Sequence, residues 1–270
     1  KLGCMCLVLF AYKSHPLYSL VFAANRDEFY DRPTRSASFW NDAPDLLAGR
    51  DLKEGGTWFG VTRQGCFAAL TNFRDPKSHR NQAPSRGWLV SSYLLGTVSP
   101  EEYLKELSAK AGDFNGFNLL AGDTGRLFYC SNRGMPCREL PPGVYGLSNH
   151  LLDTPWPKVE KGKSDLAGLI RPGGRLDPKE IMQILRDGSR PDDTLLPDTG
   201  VGLEWERILS SLFITSPIYG TRSSYVLLIE NGGGVTFLEK TFNGGPDPEE
   251  TAHFQFRIEV PHDKRRAAPE

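Results

Sequence analysis

The stretch that decides the fold is Met5-Cys6-Leu7-Val8-Leu9-Phe10-Ala11-Tyr12, a short turn, and then Leu20-Val21-Phe22-Ala23-Ala24-Asn25-Arg26-Asp27-Glu28-Phe29-Tyr30-Asp31. The two apolar runs flank Lys13-Ser14-His15-Pro16, a connection short enough to make them antiparallel neighbours. A cysteine opens the first strand, and the polar cluster Asn25-Arg26-Asp27-Glu28 closes the second. Antiparallel pairing returns that cluster to the start of the chain. The guanidinium of Arg26 and the carboxylate of Asp27 are therefore expected near the thiol of Cys6.

The chemistry of this start lies in the methionine before the cysteine. Cysteine is small enough for an initiator methionine to be removed in front of it. A chain beginning at Cys6 would carry a thiol and an α-amine on one residue, titrating near ~8.5 and ~8. Such an amine can serve as general base for its own thiol, and a cation such as Arg26 favours the thiolate. Lys1–Cys4 precede this start and read as a remnant or a misplaced start, or as a segment removed to expose Cys6.

The 270 residues are 39% hydrophobic and 24% charged, with a formal net charge of −1. This is globular composition, and a near-zero charge argues against binding nucleic acid by phosphate neutralisation. No apolar run approaches the ~18 residues needed to span a bilayer, and no secretory leader is expected. Five cysteines without a C-x-x-C pair argue against a disulfide framework or a structural zinc site. Cys66, Cys130 and Cys137 are expected as reduced thiols, the first two inside strands, in a cytoplasmic protein. The five histidines form no metal-ligand spacing, so no metal is expected and no cofactor is required.

After the hairpin a loop is expected from Asp31 to about Leu46, with a short extended piece at Leu47–Asp51. A second hairpin follows, Trp58–Thr62 and Cys66–Phe73 around Arg63-Gln64-Gly65. A helix capped by Ser85 should run to Leu95. Ser99-Pro100-Glu101-Glu102 is a capping box opening a helix to about Ala111. Strands resume at Phe117–Ala121, Leu127–Cys130 and Val144–Asn149. Pro155–Leu169 reads as an amphipathic helix with Val159, Leu166 and Leu169 inward and Lys158, Lys161 and Lys163 outside. Asp177-Pro178-Lys179-Glu180 starts another helix, and Leu203–Leu212 reads as a short helix or a turn. Gly220–Ser224 is a polar approach to the strand Tyr225–Ile229. Val235–Phe242 and His253–Val260 follow as strands, and residues 261–270 form a polar tail. Hairpins with helices in two central blocks predict an α+β fold, a four-layer αββα sandwich of two mainly antiparallel sheets, as one domain over residues 5–260.

Among the polar candidates, Cys6 reads equally as a nucleophile or as a small buried hydrophobe. Arg26 and Asp27 are taken as groups that hold the thiolate and the amine. The alternative is a pair on a strand leaving for solvent. Asn72 in L-T-N-F and Asn149 in L-S-N-H end parallel segments, and each could aim an amide at an oxyanion; alone, each would read as a turn asparagine. Arg222 in G-T-R-S-S is a second cation candidate or a solvated arginine. Trp58 and Trp205 read as core or pocket wall. Asn25, Glu28, Trp58 and Asn118 complete the set as substrate-contact candidates.

The segments M-C-L-V-L-F-A, A-A-N-R-D-E-F, G-G-T-W-F-G-V-T, A-A-L-T-N-F-R, N-G-F-N-L-L, Y-G-L-S-N, D-T-P-W-P-K and G-T-R-S-S resemble the NRDE family, that of transport and Golgi organisation protein 2, from Met5 to about Arg257. The resemblance implies an N-terminal nucleophile hydrolase-like αββα fold. The order Cys, Arg, Asn, Asn, Arg is also similar to choloylglycine hydrolases and penicillin V acylases. That likeness implies Cys6 as nucleophile, Arg26 and Asp27 as its supports, Asn72 and Asn149 as oxyanion donors and Arg222 as a further stabiliser. In those amidases the acid lies a few positions after the arginine, whereas Asp27 is adjacent to Arg26. The implied activity is hydrolysis or acyl transfer on a small amide or thioester. The alternative is a non-catalytic carrier of haem or acyl-CoA in the same cleft, since the family is linked to haem and lipid homeostasis.

Overall fold

The structure is a computed structural model that describes residues 5–134 and 136–259. The extension at Lys1–Cys4, the end of the last expected strand at Val260 and the tail at 261–270 lie outside the described residues. Strands β1 (Met5–Tyr12) and β2 (Tyr18–Phe29) form the expected antiparallel hairpin. They join β10 (Gly143–Leu147), β11 (Tyr219–Glu230), β12 (Gly234–Thr241) and β13 (Glu250–Arg257) in a sheet of order β10-β1-β2-β11-β12-β13. The second sheet runs in sequence order through β3 (Thr34–Trp40), β4 (Ala43–Asp51), β5 (Phe59–Thr62), β6 (Phe67–Asn72), β7 (Phe117–Gly122), β8 (Leu127–Ser131) and β9 (Arg138–Glu139).

Strand alternation sorts the apolar run of β1 between two cores. Val8, Phe10 and Tyr12 pack between the sheets with Phe22, Phe59 and Phe237. Leu7, Leu9 and Ala11 face the other way, under α3 (Pro157–Ile170) and α4 (Pro178–Ile184), against Val159, Leu166 and Ile181. On the outer face of the second sheet, α1 (Gly87–Leu95) and α2 (Pro100–Ser108) bring Leu89, Tyr93 and Leu104 onto Phe117, Leu119 and Ala121. The result is the four-layer αββα sandwich. A strand buried on both faces has no polar side to show, which is why β1 and β2 read as continuous apolar runs.

Local signals set several boundaries. The Ser99 side chain accepts from the Glu102 amide while the Glu102 carboxylate accepts from the Ser99 amide, a complete capping box. Asp177 caps α4, again with proline in the first turn. Ser85 does not cap α1; Arg86 occupies that position without a side-chain bond. The helix after Ser99 ends at Ser108, short of Ala111.

The loop expected over 31–46 is instead mostly a hairpin, β3 and β4. Thr34-Arg35-Ser36-Ala37-Ser38 is a half-exposed edge strand with two register shifts, so it lacks the apolar alternation that marks a strand in sequence. Gly220–Ser224 belongs to β11, with Arg222 at a bulge between Thr221 and Ser223. Cys66 is a free thiol as expected, but two other readings of the cysteines are corrected. Cys130 and Cys137 form a disulfide, and Cys66 sits just before β6 rather than within it. A cysteine count alone therefore gives no compartment.

Two features of this packing yield predictions. Gly162 lies where α3 crosses β1, and a Cβ there would come within 2.6 Å of Leu9 Cδ1 in a fully buried core. Helix propensity alone would favour alanine by about 1 kcal/mol. Overpacking costs typically about 1–3 kcal/mol and should win. Gly162→Ala is expected to lower the urea midpoint without changing the slope. Glu239 of β12 accepts a hydrogen bond from the Ala37 amide across the sheets, and burial raises its pKa above the ordinary 4.5. A carboxyl whose folded pKa is raised binds protons that the unfolded chain has lost, so stability falls as pH rises above 4.5. Glu239→Gln should stabilise the protein at pH 8, with the difference fading toward pH 4 in chemical denaturation.

Candidate active site

The β1–β2 register sets Cys6 opposite Arg26, Met5 opposite Asp27 and Leu7 opposite Asn25. Since side chains alternate, Arg26 shares the inter-sheet side with Cys6, while Asn25 and Asp27 share the helix-facing side. Cys6, Arg26 and Asn72 all line a cavity of about 670 Å³ where the sheets part at one end. Cys6 is 5% exposed at its inner wall. Glu28, Phe29 and Trp58 line it as well.

The cationic head of Arg26 is held on several sides. It lies 3.9 Å from the centre of the Trp58 ring and 3.7 Å from the Glu28 carboxylate, and it reaches the Thr34 hydroxyl. Trp58 in turn donates its indole N–H to the Tyr225 hydroxyl at 3.0 Å, which fixes the ring. Glu28 also faces Arg32, and Arg32 binds Asp51 at 2.5 Å. Cations and carboxylates thus alternate along the cavity wall. Farther out, Lys53, His79, Arg80 and Arg86 stand at the rim. Asn115 pins that rim by bonding both the amide and the carbonyl of Arg80.

Several expected site residues do other work. The Asn149 amide donates to the Asn72 carbonyl at 2.9 Å, so it braces the backbone of Asn72 and does not line the cavity. Ser148, beside it, donates to the Cys6 carbonyl at 3.0 Å and ties the same segment to β1. Arg222 donates to the carbonyls of Phe29, Tyr30 and Arg32, shaping the cavity wall from behind rather than facing the sulfur. Asn25 is no substrate contact: its amide donates to the carbonyls of Leu185 and Leu212, and its oxygen accepts from Ser224. Asn118 is buried among Thr71, the His150 carbonyl and Tyr129. Sequence position could not separate these strand-end amides, because a bond to a carbonyl and a bond to a ligand need the same residue type.

Asp27 is fully buried on the helix-facing side and accepts from Thr221 at 2.7 Å. Its other oxygen has no hydrogen-bond partner among the described residues. Burial raises its pKa to about 7 against the pull of Lys158, Thr221 and Arg26. Lys158, expected on the outer face of its helix, is instead 3% exposed. Burial lowers its pKa to about 8. Nearby, Arg74 and Glu206 form a buried ion pair at 2.6 Å, with Arg74 over the Trp156 ring. The D-T-P-W-P-K segment carried the signal for Lys158, but a lysine in an amphipathic helix reads as solvated. Among the described residues no cluster of His, Cys, Asp or Glu is placed to hold a metal ion, and no helix is long and apolar enough to cross a membrane.

The family model for transport and Golgi organisation 2 matches residues 5–244. A Bos taurus transport and Golgi organization protein 2 homolog is 39% identical over 94% of this chain and 100% of its own length. The Homo sapiens homolog is 37% identical over 88% of this chain and 93% of its own. The Drosophila melanogaster protein is 30% identical over 89% and 93%. Among solved structures, a mutant conjugated bile acid hydrolase from Clostridium perfringens aligns at TM-score 0.47 and 11% identity over 97% of this chain and 100% of that one. A Caenorhabditis elegans N-acylethanolamine-hydrolyzing acid amidase ortholog aligns at 0.40 and 12% over 83% and 92%. The sequence matches decide the family: this chain belongs to the transport and Golgi organisation 2 family.

Proposed function

We propose that this protein is a cysteine hydrolase or acyl-transfer enzyme of the N-terminal nucleophile type, acting on a small amide or thioester. The observation that supports it most is the placement of the Cys6 thiol on the wall of a cavity of about 670 Å³, with the Arg26 guanidinium across the strand pair and Asn72 on the same cavity. That volume suits a small-molecule ligand.

In this reading the mature chain begins at Cys6. The register that sets Met5 opposite Asp27 would bring the new α-amine toward the buried Asp27 carboxylate. The amine takes the thiol proton, and sulfur bonds to the acyl carbon while the carbonyl electrons move to oxygen. In this reading the Asn72 end of β6 donates to that oxyanion, and Asn149 braces its backbone. The oxyanion collapses, the bond to the leaving nitrogen or sulfur breaks, and the ammonium returns its proton to the leaving group. Water, deprotonated by the same amine, then cleaves the acyl-enzyme and the thiol is restored.

The carrier reading, in which the cleft holds haem or acyl-CoA without turnover, is favoured by one observation: Lys53, Arg80 and Arg86 outnumber Asp31 and Glu54 at the outer edge of the cavity, which suits an anionic ligand. The two readings part on simple measurements. Intact mass of natively expressed protein should give a chain starting at Cys6. Cys6→Ala should abolish turnover of an amide and thioester panel, and Asn72→Ala should lower kcat by roughly 10²–10³. A wild-type protein that binds haem or acyl-CoA, turns over none of the panel and retains residues before Cys6 would overturn the enzyme reading.

A further inference from the structure

Lys158 is an unusual lysine. It stands in the first turn of α3, the positive end of that helix, where a cation is disfavoured. Its ammonium nitrogen is buried and has no hydrogen-bond partner among the described residues. The charged groups that act on it come from four directions: Asp27 on β2, Arg74 beyond β6, Cys6 on β1 and Glu206 on α5 (Leu203–Leu209). Arg74 repels it. Glu206 is committed to Arg74 at 2.6 Å and to Thr199. Asp27 exerts the largest charge effect on it, and one Asp27 oxygen likewise lacks a hydrogen-bond partner. Arg26 and Glu28 act on Asp27 in turn, with opposite signs.

We propose that Lys158 is a positioning residue of this site, a buried ammonium that keeps Asp27 ionised and draws Cys6 toward its thiolate. The proposal deepens the nucleophile reading above and rests on it. A single carboxylate then serves two amines, Lys158 and the α-amine of a chain beginning at Cys6. Like-charge repulsion between those amines favours one proton over two, so a protonated Lys158 leaves the α-amine as free base. Removing the charge should make both the amine and the thiol harder to deprotonate.

The test reads the thiol directly, so it gives an answer whether or not a substrate is known. Full-length protein is alkylated with iodoacetamide from pH 5 to 10, and the rate at Cys6 is followed by peptide mass, which separates it from Cys66. Lys158→Met is expected to slow alkylation of Cys6 roughly tenfold at pH 7, a one-unit upward displacement, with rates converging at high pH. Lys158→Arg keeps a fixed charge and should hold the half-reactive pH at or below that of wild type. This variant carries the test if Lys158→Met melts early. Superimposable profiles for wild type and Lys158→Met, or an upward displacement in Lys158→Arg, would overturn the proposal. Absence of turnover with a displaced alkylation profile would sink the enzyme reading and leave the electrostatic one standing.

Discussion

The pairing of Cys6 with Arg26 across β1 and β2 is the constraint on which the site depends. Strand side chains alternate, so a slip of one residue would turn Arg26 toward the helices and aim Asp27 into the cavity. Both faces of this hairpin are buried, Val8, Phe10 and Phe22 on one side and Leu7, Leu9 and Val21 on the other. A slip would bury every charge of the Asn25–Glu28 cluster in the wrong core. The neighbour β11 holds the same register from the other edge of β2, and its bulge at Arg222 lets that side chain leave the ladder and grip the carbonyls of residues 29, 30 and 32.

This alternation separates two charge systems that the sequence writes as one cluster. On the cavity side, Arg26, Glu28, Arg32 and Asp51 alternate in sign along the wall. On the helix side, Asp27 and Lys158 are both buried and act on each other's charge, with the Arg74–Glu206 pair acting on Lys158 as well. Buried charges cost several kcal/mol each unless paired, and such pairs add little net stability. A fold selected for stability alone would fill these positions with apolar side chains. The unpartnered oxygen of Asp27 and nitrogen of Lys158 make the second system the more costly.

Much of the fold was legible because its signals are local. The β1–β2 hairpin, the Ser99 capping box and the Asp177 cap follow from neighbouring residues. The β3–β4 hairpin was not legible, since an edge strand with half-exposed polar residues carries no periodic signature. The site divides in the same way. Cys6 and Arg26 meet through a local hairpin, and Asn72 reaches the cavity at the end of a strand with a clear pattern. Asn25, Asn118 and Asn149 instead bond to groups tens of residues away, so no short window of sequence distinguishes bracing from ligand contact. Lys158 was missed for a related reason: its burial comes from segments distant in sequence that pack against α3, β1 and β10 among them, not from its own helix.

The central claim is that the sulfur of Cys6 attacks acyl carbon. Its most direct test is the mass of wild-type protein quenched in acid shortly after mixing with a reactive short-chain acyl thioester. The account predicts one acyl group per chain, mapped to Cys6 and discharged on longer incubation. An adduct found on Cys66 or on surface lysines alone, or no adduct at all, would contradict it.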